Sequence, residues 1–253
     1  MIDTHTHLYF KDYPNVDETI HNALKAKVTQ MISVAINYET SLESLRLAKK
    51  YSKVIYPSAG VHPSELASFN AMEFDNLLQK AHQDFIAIGE VGLDYHYEEN
   101  NKEQQKQVFR YFIELSIKYH LPLIIHSREA FDDTLTILQE YKGQVWGVFH
   151  CFTGSLDQAK QIVALNFCLG IGGVLTFKSA SDLVEVVQTI DLKHLILETD
   201  CPFLAPMPYR GKTNEPAYVG YVLEKIITLR KEKNVEQTIE STTRKLFNFS
   251  LNL

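Results

Sequence analysis

The chain predicts a (β/α)8 TIM barrel, and three observations carry that expectation. Eight short apolar runs alternate with longer amphipathic stretches. The length, 253 residues, suits one such barrel, typically about 250 residues. Six residues able to bind metal stand at the downstream ends of five of the runs: His5 and His7 in IDTHTHL, Glu90 in IAIGEVGLDY, His126 in LPLIIHS, His150 in VWGVFHCF and Asp200 in LILETDCPF. A barrel gathers its strand ends at one mouth, so residues distant in sequence meet there.

In chain order, strands are expected over Met1 to His7, Gln30 to Asn37, Ile55 to His62, Phe85 to Leu93, Pro122 to His126, Val145 to Phe149, Phe167 to Gly173 and Leu195 to Thr199. Between them, Val16 to Val28, Leu42 to Tyr51, Met72 to His82, Lys102 to Tyr119, Ala130 to Tyr141 and Leu156 to Leu165 repeat apolar residues at three- and four-residue steps, the spacing of one helix face. Ser155 is placed to cap the last of these. Pro216 to Arg230 and Val235 to Phe247 read as closing helices, and the Pro-rich loop before them can reach over the barrel mouth. No linker, long charge block or short repeat divides the chain, so residues 1–253 are expected to form a single barrel domain.

A hydrophobic content of 45% supports a sizeable core. Twenty-five Lys and Arg against 31 Asp and Glu give a net charge of −6, with no sign of the extended basic face used in nonspecific duplex binding. Any contact with a nucleic acid is therefore expected to be local, at strand ends. The chain enters its first strand with no basic or apolar leader, and no run is long enough to span a bilayer, so the expected location is cytoplasmic. Cys151, Cys168 and Cys201 form no C-x-x-C pair and fit a reducing compartment. All three read as small buried hydrophobes, and strand alternation turns Cys151 outward if His150 points inward.

Alternate residues of a strand share a face, so His5 and His7 can enter one barrel and bind one ion. Four imidazoles with two carboxylates suit a pair of divalent ions, one carboxylate bridging, each ion keeping an open position for water. Four positive charges against two carboxylates leave about plus two, which favours an anionic substrate. His21, His82, His120 and His194 fall in helical stretches or turns and read as surface residues. The glycines from Gly170 to Gly173 lack the G-x-G-x-x-G spacing and read as small residues of a barrel strand.

With IDTHTHL at 2–8, GVHP at 60–63, IGEVGLDY at 88–95, LPLIIHSREA at 121–130, HCFTGS at 150–155, LETDCPFLAP at 197–206 and PYRGKTNEP at 208–216, the chain resembles the TatD-like metal-dependent deoxyribonucleases of the amidohydrolase superfamily. The resemblance implies a barrel that hydrolyses phosphodiester bonds in DNA, as a 3'-5' exodeoxyribonuclease, with two divalent ions (Zn, Mg or Mn). On the matching positions it implies His5, His7 and Asp200 at the first ion, His126 and His150 at the second, and Glu90 bridging. Asp200 would also take a proton from the attacking water.

Arg210 in PYRG looks like a phosphate clamp, because a guanidinium pairs its donors with phosphate oxygens and Gly211 lets the backbone approach closely. His62 and Arg128 each follow a strand and are further candidates for substrate contact, although Arg128 has Glu129 beside it as an alternative partner. Asp94 and Tyr95 are placed to buttress Glu90. Thr213 stands where similar proteins carry a basic residue, and GIGGVLTFKS at 170–179 replaces a Pro-containing segment; both bear on substrate affinity. Two rival readings are hydrolysis of another ester or amide, such as an aminoacyl ester on tRNA, and a metal-dependent scaffold without turnover. The complete set of six speaks against the scaffold.

Overall fold

The computed structural model describes residues 1–96 and 101–249. Its strands β1 (Ile2–Thr6), β2 (Gln30–Ser33), β3 (Ile55–Ala59), β4 (Ala87–Asp94), β5 (Leu123–Arg128), β6 (Gly147–Phe149), β7 (Phe167–Ile171) and β8 (Leu195–Leu197) pair in sequence order. Every pair is parallel. The sheet curls round until the chain after β8 meets β1: Thr6 bridges Cys201, His7 N–H donates to the Cys201 carbonyl at 2.9 Å, and Asp200 N–H donates to the His5 carbonyl at 3.0 Å. This seam carries His5, His7 and Asp200 together.

Helices α1 (Val16–Lys25), α2 (Tyr38–Lys50), α3 (Ala71–Ala81), α4 (Lys102–Tyr119), α5 (Phe131–Glu140), α6 (Leu156–Ala164), α7 (Ser181–Thr189), α8 (Val219–Leu229) and α9 (Val235–Leu246) complete the described fold. Several start where the sequence supplies an oxygen for the free N–H groups of a first turn. Asn15, Asn70 and Asn101 cap α1, α3 and α4, while Asn37 with Thr40 and Ser155 with Gln158 form reciprocal capping boxes.

Strand alternation divides the core. Ile2, Ile32, Ile124, Val148, Cys168 and Ile196 cluster with Phe247 and Phe249 from the segment after α9. Their neighbours in the strands, such as Met31, Ile125, Phe149, Leu169 and Leu195, pack with Phe109, Phe112, Ile162, Val186 and Ile226 of the helices. Burying each large side chain contributes about 1.5–3 kcal/mol relative to exposure, so the strands are held from both faces.

Several strands stop earlier than the sequence predicts. The run from Ile55 ends at Ala59, that from Phe167 at Ile171 and that from Leu195 at Leu197. Beyond these points the backbone leaves the ladder: His62 caps a 3-10 turn over Pro63–Ser68, and another spans Gly173–Thr176. In contrast, β4 and β5 continue to Asp94 and Arg128. Their close approach needs Gly92, where a Cβ would lie 2.0 Å from the His126 carbonyl oxygen. Helix α7 has no counterpart among the expected helices; it is nine residues long and has no side-chain cap. The closing helix expected from Pro216 starts as a 3-10 turn over Pro216–Tyr218 before α8. No helix among the described residues is long and apolar enough to cross a membrane.

Two of the four histidines read as surface residues are half-buried. His82 stacks on Tyr119 with ring centres 4.8 Å apart, and its Nδ1 lies 3.0 Å from the Leu78 carbonyl oxygen. His194 is likewise partly covered.

Candidate metal centre

The seam between β1 and the chain after β8 brings three donor atoms into one cluster. His5 Nε2 lies 3.2 Å from His7 Nε2, and Asp200 Oδ1 lies 3.7 Å and 3.6 Å from them. Two imidazole nitrogens at this distance can share at most one proton. A tetrahedral ion with bonds of about 2.0–2.1 Å separates its ligands by about 3.3–3.4 Å, close to these spacings. His7 Nδ1 sits 2.9 Å from the Val34 carbonyl oxygen, a partner that places the proton on Nδ1 and leaves the Nε2 lone pair facing the cluster.

Glu90, at the centre of β4, turns one oxygen to each of two histidine groups. Its Oε2 is 3.3 Å from His5 Nε2 and 3.9 Å from His7 Nε2. Its Oε1 is 2.7 Å from His150 Nε2 and 2.9 Å from His126 Nδ1, and those two nitrogens are 3.2 Å apart. Thus all six sequence candidates converge, and they fall into a His5–His7–Asp200 cluster and a Glu90–His126–His150 cluster. The chemistry of both donor sets fits divalent ions with nitrogen and oxygen preferences.

The expected buttress of Glu90 is corrected. Asp94 Oδ2 accepts from His126 Nε2 at 3.0 Å, so Asp94 orients a histidine rather than Glu90. The Tyr95 hydroxyl donates to Asp133 Oδ2 at 2.7 Å; one residue past the strand, its side chain lies toward α5. His62 enters the site more deeply than a rim contact would. Its ring centre is 4.3 Å from that of His126, and its Nε2 is 3.7 Å from Glu90 Oε1.

Two buried carboxylates escaped the sequence reading. Glu198 follows β8 directly and is fully buried; its Oε1 accepts from the Cys151 N–H, and its Oε2 has no hydrogen-bond partner among the described residues. His5 Nδ1 and His150 Nδ1 are also buried without a hydrogen-bond partner among the described residues, and His5, His150 and Glu198 form a cluster of their own. Asp3, under the same seam, accepts from Thr199 Oγ1 at 2.6 Å. The signal for Glu198 was present: an acid in an apolar strand end, two residues before Asp200, needs a buried partner.

These acids revise the expected count of two. Burial pushes Glu198 up to about 8 and Asp3 up to about 7, which keeps part of their charge suppressed near neutrality. Burial also favours neutral Glu90, yet His150, His62 and His5 around it outweigh that and hold it well below the usual carboxylate range. Burial draws His5 and His62 down to about 4.

The two arginine substrate candidates lie outside these clusters. Arg210 is exposed, with its guanidinium carbon 4.5 Å from the centre of the Phe177 ring. Arg128 is exposed at the end of β5, where Glu129 reaches His96 at 2.6 Å. Cys151 does not follow strand alternation, because β6 has already ended at Phe149; it takes a positive φ of 47° and is partly exposed, which corrects its reading as a buried hydrophobe. Beside His150 opens a cavity of about 550 Å³, lined by Tyr95, Ser127, Phe149 and Phe152 with Asp132 and Asp133 at its wall.

Comparison with known proteins agrees with this architecture. The TatD related DNase family model matches residues 2–248. The uncharacterized metal-dependent hydrolase YabD of Bacillus subtilis is 41% identical over 246 residues, covering 96% of each chain. Escherichia coli YjjV, solved as a TatD homologue, superposes with a TM-score of 0.92 at 30% identity, covering 98% of each chain. A TatD family hydrolase from Entamoeba histolytica shares the fold, with a TM-score of 0.87 at 21% identity over 99% of this chain and 98% of its own. A barrel whose mouth gathers these histidine and carboxylate clusters, matched to that family along nearly its whole length, belongs to the TatD family of metal-dependent hydrolases.

Proposed function

We propose that this chain, as one domain over residues 1–253, hydrolyses phosphodiester bonds in DNA with two divalent ions, Zn, Mg or Mn. The observation that carries the reading is Glu90, with one oxygen toward His5 and His7 and the other toward His126 and His150. In this reading His5, His7 and Asp200 would hold one ion and His126 and His150 the other, with Glu90 as a ligand available to both. Bound divalent ions lower the pKa of coordinated water toward about 7 and offset charge developing on a phosphoryl group.

The side chains do the rest. Asp200 is kept ionised because neighbouring histidines outweigh its burial, so it is available to take a proton from the attacking water. Asp94 fixes the His126 ring, and the Val34 carbonyl fixes His7. Arg210 grips a substrate phosphate, with His62 and Arg128 as further contacts. Polarity is taken from the family resemblance: 3'-5' exonuclease action on a strand end, which suits a chain of net charge −6 without an extended basic face.

The test is purified protein incubated with end-labelled single-stranded DNA and with aminoacyl-tRNA, each with and without added Mg2+, Mn2+ or Zn2+. Metal-dependent shortening of DNA from its 3' end is expected. Deacylation of tRNA without DNA cleavage would select the ester reading, and binding without turnover of either would select the scaffold.

A further inference from the structure

Three of the six large apolar side chains exposed among the described residues fall within seven positions after Asp200: Phe203 at 51%, Leu204 at 39% and Met207 at 47%. An exposed apolar patch at the rim of a site marks a place where something binds. Phe203 is also aimed. Its ring centre lies 6.4 Å from that of His7 and 6.0 Å from that of Phe10, and Phe10 itself stacks on His7 at 5.2 Å with planes 20° apart.

The loop beneath it is held in place from several sides. Phe203 N–H donates to the Asp200 carbonyl at 2.9 Å, which ties the aromatic to the candidate ligand. The fully buried Asn214 donates from Nδ2 to the Phe203 carbonyl at 2.7 Å and to the Thr199 carbonyl at 2.9 Å. Leu204 packs so closely on Gly173 that a Cβ there would lie 2.2 Å from its carbonyl oxygen. The same loop carries cations against aromatics: Arg210 over Phe177 and Lys212 5.8 Å from the centre of Tyr209.

Resting on the reading of the chain as a DNA hydrolase, we propose that Phe203, backed by Phe10, is a stacking platform for one nucleobase of the strand end whose phosphate lies at the His5–His7–Asp200 cluster. The occupant must present a flat apolar face to Phe203 while an anionic group reaches the donor atoms next to it, and a nucleotide carries both on one sugar. Aromatic platforms combined with nearby cations are how single strands are held without base-specific hydrogen bonds. The platform therefore tolerates any base and requires that one be present.

The experiment compares the parent with Phe203→Ala and Phe203→Trp on an end-labelled thymidine oligonucleotide, and on the same oligonucleotide made abasic at either of its last two positions. Phe203→Ala should raise KM on the intact strand by roughly 5- to 100-fold, the scale of one lost base stack. Phe203→Trp should restore it, metal content should not change, and on one of the two abasic strands Phe203→Ala and parent should be equally slow. A 2-aminopurine at that position in a nuclease-resistant phosphorothioate strand should be quenched by the parent and not by Phe203→Ala. Equal KM for parent and Phe203→Ala on the intact strand, or equal loss on intact and both abasic strands, overturns the platform while leaving DNA hydrolysis standing. A parent that cuts no DNA with any added metal removes the DNA reading itself and the platform with it.

Discussion

Glu198 occupies the space that a side chain on Gly170 would need: a Cβ built on Gly170 would lie 2.1 Å from Glu198 Oε2. The glutamate has nowhere to retreat, because it is fully buried and its other oxygen holds the Cys151 N–H next to His150. Gly170→Ala is therefore expected to lower stability by about 1–3 kcal/mol through overpacking, read from urea unfolding. Gly220→Ala in α8, where a Cβ meets only Met1 at 3.8 Å, should stay within about 1 kcal/mol of the parent or exceed it. Parent-like stability of Gly170→Ala would show that Glu198 moves freely.

The bridging role proposed for Glu90 separates it from every other candidate. Glu90→Gln should weaken both ions, whereas His126→Ala should weaken only the ion near His150. Calorimetric metal titrations distinguish the two patterns. Retention of two ions at parental affinity by Glu90→Gln would remove the bridge.

Metal affinity should depend on pH, with a definite sign. In the metal-free protein, burial opposes charge on His150, but Glu90, Glu198 and Asp200 outweigh it and raise the pKa from 6.5 to about 10. Folded-state stability from this group is complete below pH 6.5 and is lost as pH rises toward 10. An ion at His150 must displace the same proton, so its affinity should fall roughly tenfold per unit as pH drops below that value. Titrations between pH 6 and pH 8 in buffers of different ionisation enthalpy should register proton release. Affinity independent of pH, with no proton released, contradicts this.

Arg210 offers a substrate test that spares the metal centre. Arg210→Ala should slow DNA turnover about 10- to 100-fold at subsaturating substrate, the scale of one charge-assisted contact of about 1.5–3 kcal/mol. The salt dependence of affinity should become shallower by about one unit or less. Since Arg210 is exposed and leans on Phe177, folding and metal content should stay normal. Undiminished turnover would leave it as a surface residue covering Phe177.

Much of this architecture was legible because repetition carries it. Short apolar runs ending in His or an acid, five times over, specify which residues meet at a barrel mouth even where strand limits slip by several residues. What stayed hidden depends on local backbone turns. Cys151 left the pattern because its strand ends at Phe149, and Tyr95 turned to Asp133 because β4 carries on only to Asp94. Glu198 was masked by its neighbour Asp200, whose position in the same motif drew the ligand assignment. The role of Gly170 followed from Glu198 alone and could not be read without it.

Removal and return of metal bears most directly on whether this hydrolase cleaves DNA through its two donor clusters. Protein stripped by chelation should leave end-labelled single-stranded DNA intact, and stepwise addition of Mn2+ should restore cleavage that saturates near two ions per chain. Cleavage by fully stripped protein at the rate of the metal-loaded enzyme would mean that these clusters do not drive the reaction.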